Sequence, residues 1–317
     1  MDLRKKLFSI DKSGYHRVIR IFGIKFSYLS KYLLNQKLAR MNYNIQSLHK
    51  LLDFAANPSD LPPAKGELRQ GQLLSIRLLN DIKGICDGNN LTYWLDFGTL
   101  LGAVRHGGYI PWDSDIDISM LREDFYKIIP LLKEKYTNSE IEVREFGYNN
   151  HFQVRIQSKD NDTYGVDIFP IDKYYKSDLT EEEIKNISEE ISQAALIMKN
   201  KCTHIRKYRY NAELSRKEIK KITNKYILKN NKPLEDKPAL FYAIDYPVPD
   251  TIKIKNYDVI FPLKTIKFEG GEYSCPNKTE EFLASLFSKN YMHFPKSFSS
   301  DGDKVAEYTA STESEAS

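Results

Sequence analysis

LTYWLDFGTLLGAVRHGGYIPWDSDIDIS, residues 91–119, is the stretch whose reading decides the fold. It opens as a short strand, turns at Gly98 into a helix over 99–105, and loops through Gly107, Gly108 and Pro111. A second strand then carries Asp113, Asp115 and Asp117 at alternate positions. Side chains of an extended strand alternate between faces. Asp115 and Asp117 therefore project together, roughly 6.5 Å apart along the backbone, while Ile116 and Ile118 point into a core.

Two carboxylates on one strand face repel each other unless a cation sits between them, and hard oxygen donors suit Mg²⁺ or Mn²⁺. Gly98 lets the backbone approach a ligand closely. The free N–H groups at the helix start and the Thr99 hydroxyl suit phosphate. Glycine and hydroxyl at a helix start, followed by Asp-x-Asp on the next strand, is a nucleotidyltransferase arrangement. A calcium loop counted from Asp113 fails, because its sixth position is Ile118 where glycine is required. A glycosyltransferase Asp-x-Asp site and a merely solvated acidic turn remain as other readings of the same residues.

Outward from this stretch, the apolar spacing predicts a helix over 67–86 before it and another over 123–136 after it. HFQVRIQ (151–157) and TYGVDIF (163–169) read as strands of a hairpin about a turn-rich cluster, the second ended by Pro170. Asp167 lies between Val166 and Ile168, in a strand too apolar to hold a charge without reason. It is the candidate third carboxylate, and an ion pair with Arg155 across the hairpin is compatible with that role. Thr180 caps a long helix over 180–200, the basic run that follows is either a glycan-binding or a solvated face, and 260–298 alternates strand and short-helix character. Trp112 either stacks on a base or packs in the core, with core packing the stronger expectation.

Composition is that of a globular chain, 41% hydrophobic with 21 Tyr and 16 Phe. Cys86, Cys202 and Cys275 are too far apart for a zinc site or a disulfide framework, and a reducing cytoplasm fits them. Residues 1–40 carry a net charge of +8, which leaves −4 for the rest of the chain. Within 17–34 the apolar residues fall at helical spacings among basic ones, so a basic amphipathic helix either lies on anionic lipid or packs on the body. Residues 41–55 read as a further helix, and Pro58, Pro62 and Pro63 mark a linker. The expected organisation is an arm over 1–60, a catalytic domain over 61–298, and a disordered acidic tail over 299–317. No aromatic-glycine signature accompanies the basic residues, so nucleic acid is not an expected partner.

DFGTLLGAVRHGGYIPWDSDIDI, the later YGVDIFPID and the distal IFPLKTIKFEGGEYSCP together resemble the LicD family, and more distantly fukutin and fukutin-related proteins. The resemblance covers about 67–300 and departs from the family pattern at 287–292 and in the final residues. It implies an α+β nucleotidyltransferase-type fold, a mixed sheet flanked by helices with additional C-terminal helical and β elements. The implied activity moves phosphocholine or an alditol phosphate from a CDP-activated donor to a glycan hydroxyl, free or lipid-linked. Asp113, Asp115, Asp117 and Asp167 are then the expected ligands of Mg²⁺ or Mn²⁺, with Asp115, Asp117 and Asp167 catalytic. Gly98, Thr99, Arg105 and His106 are expected to bind the donor phosphates. Transfer of a nucleotide to a small molecule, and glycan binding without catalysis, are the rival functions on this fold. The expected location is the cytoplasm, at or near the inner membrane face.

Overall fold

The computed structural model describes residues 57–148, 151–177, 179–187, 232–242 and 255–294, three strands within 8–29, and scattered positions between 189 and 230. The chain forms two compact units, 1–57 and 58–317. Apart from position 44, the expected helix over 41–55 lies outside the described residues, as do most of the basic run after 199 and all of the acidic tail.

The first unit corrects the N-terminal expectation. Strands β1 (Phe8–Ser13), β2 (His16–Ile21) and β3 (Ile24–Leu29) form an antiparallel sheet where an amphipathic helix was predicted. The apolar residues also fit a period of two, and the register aligns Ile10 with Ile19 and Phe26, and Phe8 with Ile21 and Ile24. Val18, Ile19, Ile21 and Ile24 are β-branched, which favours a strand. Two residues separate each pair of strands, and each pair of residues contains a glycine, Gly14 or Gly23.

The second unit is an α+β fold. Helix α1 (Gly66–Asn89) buries Gln72, Ser75, Leu79, Ile82 and Cys86, alternating three and four residues apart along one stripe. It ends at Asn90, which takes the left-handed conformation (φ 53°) and donates its N–H to the Cys86 carbonyl. Strand β4 (Tyr93–Leu95) leads into helix α2 (Phe97–His106), then strand β5 (Asp115–Leu121) and helix α3 (Arg122–Lys135). Strands β6 (Ile141–Tyr148), β7 (His151–Ser158) and β8 (Gly165–Lys173) follow, and β9 (Leu240–Tyr242) comes much later.

The sheet order is β4-β5-β8-β7-β6, with β9 beside the far end of β8. The β5–β8 pair is parallel and the other pairs are antiparallel. Parallel neighbours need a long crossover, and α3 with the β6–β7 hairpin supplies it. Ile116, Ile118 and Met120 of β5 and Ile168 of β8 are wholly buried against the helices, each side chain contributing on the order of 2 kcal/mol. Helix α4 (Tyr257–Ile260), the β10 (Lys264–Phe268) and β11 (Gly271–Cys275) hairpin and helix α5 (Thr279–Phe287) complete the unit.

Two details differ from the sequence reading. Strand β6 was not foreseen. Strand β8 runs through Pro170 to Lys173. On the flank away from β5, β7 pairs only as far as Ile168 and β9 begins at Ile171, so Pro170 sits where no ladder bond on that side is needed. Thr180 does cap a helix: its hydroxyl accepts from Glu183 N–H at 3.2 Å, and the Glu183 carboxylate accepts from Thr180 N–H at 2.9 Å.

Candidate active site

Backbone register builds the site. Asp117 lies opposite Asp167 across the β5–β8 pair, and Asp167 lies opposite Arg155 across β8–β7. One row of three strands therefore carries Asp117, Asp167 and Arg155. Asp115, two residues before Asp117, shares its face, and oxygens of Asp115, Asp117 and Asp167 all come within 4.8 Å of one another.

The start of α2 is fastened to the same strand. Asp96 donates its backbone N–H to the Asp117 carbonyl at 3.0 Å, and Thr99 Oγ1 accepts the Asp117 N–H at 2.8 Å. Both backbone polar groups of Asp117 are thus engaged by the β4–α2 turn. Gly98 stands against the carboxylates: a Cβ there would lie 2.7 Å from Asp113 Oδ2 and 3.8 Å from Asp117 Oδ2. The turn is strained, because Phe97 takes φ 41°. Its ring is held by stacking on Tyr242 at 5.0 Å and by an edge contact with Phe169 at 5.1 Å.

Beneath this turn lies Asp96, which is wholly buried. It accepts from Phe97 N–H at 2.7 Å, from Ser119 Oγ at 2.5 Å, and from Tyr242 Oη at 2.9 Å on both carboxylate oxygens. Burial raises its carboxyl to about 6, against the opposing effect of these bonds. Tyr242 comes from β9, nearly 150 residues away in sequence, so its part in the site could not be read from the chain.

Burial, reinforced by neighbouring negative charge, also raises Asp113, Asp117 and Asp167. Asp113 is pushed up to about 8 by burial and then by Asp115. Asp117 is raised well above the usual range by burial, then by Asp115 and Asp167. Burial takes Asp167 to about 7, although Arg155 pulls it down. Such crowding favours any cation that reaches the cluster.

Asp113 was expected on the strand, but β5 starts only at Asp115. Asp113 instead ends a turn, its N–H on the Ile110 carbonyl at 2.9 Å and its own carbonyl accepting from Gln72 Nε2 at 2.9 Å. It adjoins Gly98 and Asp115 but stands outside the three-carboxylate group. The Thr99 hydroxyl is buried and committed to Asp117. Arg105 and His106 lie at the opposite end of α2 from Gly98, eight or so residues along and about 12 Å away at the helical rise. The Arg105 guanidinium donates to the carbonyls of Tyr291 at 2.9 Å and His293 at 3.2 Å, and to His106 Nε2 at 3.0 Å. Burial lowers Arg105 to about 10, and burial followed by the Arg105 charge lowers His106 to about 4. Arg105 thus ties α2 to the C-terminal segment, while His106 accepts from Arg105 through Nε2 and its buried Nδ1 has no hydrogen-bond partner among the described residues. Trp112 is 42% exposed, against the expectation of core packing: it lies in the loop before β5, whose first buried side chain is Ile116.

Sequence reasoning also missed the support of that loop. Glu269, in the β10–β11 turn at φ 49°, accepts from Tyr109 N–H at 3.0 Å and from Arg69 Nη2 at 2.7 Å. Its own N–H donates to the Gly107 carbonyl at 3.1 Å. The distal hairpin thereby fixes the loop that delivers Asp113.

Residues 90–193 match the model of the LicD/FKTN/FKRP nucleotidyltransferase domain. The chain carries a LicD-family domain. Within it lie Gly98, Asp113, Asp115, Asp117, Arg155 and Asp167. Among similar proteins, the lipopolysaccharide cholinephosphotransferase LicD of Haemophilus influenzae is 35% identical over 79 residues, 25% of this chain and 30% of that protein. The ribitol 5-phosphate transferase FKRP of Mus musculus is 33% identical over 92 residues, 28% of this chain and 18% of that protein. Its Homo sapiens counterpart is 32% identical over the same length. The matched part thus spans less than a third of these relatives.

The residues fit a divalent ion. Every donor is a carboxylate oxygen, the donor set of Mg²⁺ or Mn²⁺. Asp167 Oδ1 is buried without a hydrogen-bond partner, an arrangement that costs free energy until the oxygen receives a cation. Oxygens on an octahedral Mg²⁺ stand about 4.2 Å apart when opposite and about 3 Å apart when adjacent, so the three side chains draw together to share one ion.

Proposed function

We propose that this protein transfers a phosphoryl-linked group, phosphocholine or an alditol phosphate, from a CDP-activated donor to a hydroxyl of a cell-surface glycan, releasing CMP. The observation that carries the reading is the convergence of Asp115, Asp117 and Asp167 beside the start of α2 within a LicD-family domain. The named relatives, a cholinephosphotransferase and a ribitol 5-phosphate transferase, support the phosphoryl-transfer class.

Asp115, Asp117 and Asp167 would hold Mg²⁺ or Mn²⁺, with Asp113 beside them. A bound divalent ion supplies neutralisation of the charge that builds on a departing phosphate. The chain's own part begins with position. Gly98 admits a phosphate close to the acidic row, and the N–H groups at the α2 start favour its negative charge. Thr99 acts by holding Asp117 in place. Asp167 has one oxygen engaged by Arg155 and one open, and serves as ligand or as acceptor of the proton from the attacking hydroxyl. Trp112, exposed one residue before Asp113, offers a ring face to the base or sugar of the donor. Arg105 and His106 drop out of the phosphate-binding set on this reading, since both lie at the far end of α2 from Gly98 and the Arg105 guanidinium serves the C-terminal segment.

The catalytic domain is taken to run over 61–298, with 1–60 as an arm and 299–317 as a tail. The charge of 1–40 supports contact with an anionic membrane surface, and with it a lipid-linked acceptor and a cytoplasmic location at the membrane's inner face. No helix among the described residues is long and apolar enough to cross a membrane.

The test is product analysis. The purified protein is incubated with Mg²⁺ or Mn²⁺, an acceptor glycan, and CDP-choline or CDP-ribitol. Acceptor-dependent release of CMP with phosphorylated glycan is expected. Pyrophosphate release from a nucleoside triphosphate with no CMP from either donor would replace this reading with nucleotidyl transfer. Glycan binding without any turnover would leave a non-catalytic protein.

A further inference from the structure

We propose that Arg155 is a positioning residue of the metal site: it grips one oxygen of Asp167 so that the other is left facing the ion. The inference rests on the metal-site reading above and assigns a role to a residue outside the ligand set.

A guanidinium has five N–H donors, and all five of Arg155 are engaged. Nε donates to Gln157 Oε1 at 3.0 Å, and Nη2 donates to the carbonyls of Asp162 and Thr163 at 3.1 Å each. Nη1 donates to Asp167 Oδ2 at 2.5 Å and to Asp115 Oδ2 at 3.3 Å. Gln157 is fixed in turn by its Nε2 bond to Glu142 Oε1 at 2.8 Å, on the next strand. Three of the five bonds therefore anchor the group from outside the acidic cluster, and the side chain is 11% exposed.

Asp167 is bound asymmetrically. Its Oδ2 takes the short bond from Arg155, while its Oδ1 is buried and unpartnered. A carboxylate free to rotate could turn either oxygen, or neither, toward Asp115 and Asp117. Held by one oxygen, it presents the other. The register makes the arrangement a property of the sheet, since Arg155 is opposite Asp167 and Asp167 opposite Asp117.

Charge compensation alone would also place an arginine here, with the guanidinium standing where the ion goes and leaving when it arrives. The geometry is against that. Leaving would break the three outer bonds as well as the short one to Asp167. The weak contact is the 3.3 Å bond to Asp115, so Asp115 can swing to the ion while Arg155 stays with Asp167. Outer partners that orient a ligand in this way commonly alter metal affinity by about 10- to 100-fold.

The experiment is calorimetric titration of the full metal-free chain with Mn²⁺, for wild type, Arg155→Met and Arg155→Lys, with circular dichroism confirming the fold. Arg155→Met is expected to bind Mn²⁺ about 10- to 100-fold more weakly, and Arg155→Lys to lie between it and wild type. Unchanged affinity in folded Arg155→Met overturns the proposal. Tighter binding overturns it too and shows that the guanidinium occupies the ion's place. If Arg155→Met fails to fold, Gln157→Met takes its role: it removes an outer anchor and leaves every charge of the cluster, and an affinity equal to wild type overturns the proposal. Absence of Mn²⁺ binding by the wild type would instead overturn the metal-site reading itself.

Discussion

Asp117→Asn tests the electrostatics of the site in two directions at once. Arg155 donates to Asp115 and Asp167, whereas Asp117 faces both of those carboxylates. At 4.8 Å and an effective dielectric constant of about 20, each unit-charge pair repels by about 3.5 kcal/mol. Two such pairs involve Asp117, which gives about 7 kcal/mol at that separation with every group ionised. Proton uptake relieves much of this, since Asp167 holds its proton up to about 7 and Asp117 is raised well above the usual carboxylate range. A net gain of about 2 kcal/mol for the metal-free variant at pH 8.5 is the expected result, or a melting temperature higher by about 4–8 °C.

The sign with pH follows from the direction of the shifts. Carboxyls raised in the folded state hold protons that the unfolded chain has lost, so wild-type stability falls as pH rises from about 4 through their folded values. The advantage of Asp117→Asn should therefore shrink at pH 5.5. Mn²⁺ reverses the order: at about 100 times its dissociation constant it adds about 2.7 kcal/mol to the wild type and little to the variant. Thermal melts at the two pH values, with and without Mn²⁺, read all of this. A metal-free variant less stable than wild type at pH 8.5, or one stabilised equally by Mn²⁺, would refute the reasoning, as would full transfer activity.

Gly98→Ala places a methyl 2.7 Å from Asp113 Oδ2, so the carboxylate must move and the approach to the acidic row narrows. CMP release should fall more than tenfold while stability in urea changes by less than about 1 kcal/mol, since alanine is the better helix residue. Arg122→Ala removes a two-pronged ion pair, at 2.9 and 2.7 Å, from Asp172, which is 2% exposed. Urea denaturation should show a loss of about 3–5 kcal/mol. Adding Asp172→Asn should recover part of that loss; no recovery would mean that packing rather than the stranded charge sets the cost.

Much of the site was legible along the chain because its chemistry is local. The Asp-x-Asp spacing places Asp115 and Asp117 on one face of any strand, and glycine before a helix is a short-range signal. Asp167 stood out because a carboxylate amid Val166, Ile168 and Phe169 has to be compensated. What escaped the reading depends on residues distant in sequence. Asp96 is ordinary until Tyr242 and Ser119 close over it, and Glu269 is one more surface acid until its hairpin meets the glycine loop. The N-terminal arm misled because its apolar residues fit both periods, and strand pairing decided between them.

By itself the sequence determined which groups could do chemistry and which turns would carry them, since side-chain type and spacing within one element are local properties. Only the tertiary structure decided which groups meet. Backbone pairing aligned Asp117, Asp167 and Arg155 in one row, left Asp113 beside the trio, and drew Arg105 away toward the C-terminal segment. The Arg155–Asp167 pair lies within one hairpin and was legible in advance, but the register and crossover that bring Asp117 into the row are set by hydrogen bonds between strands far apart in the chain.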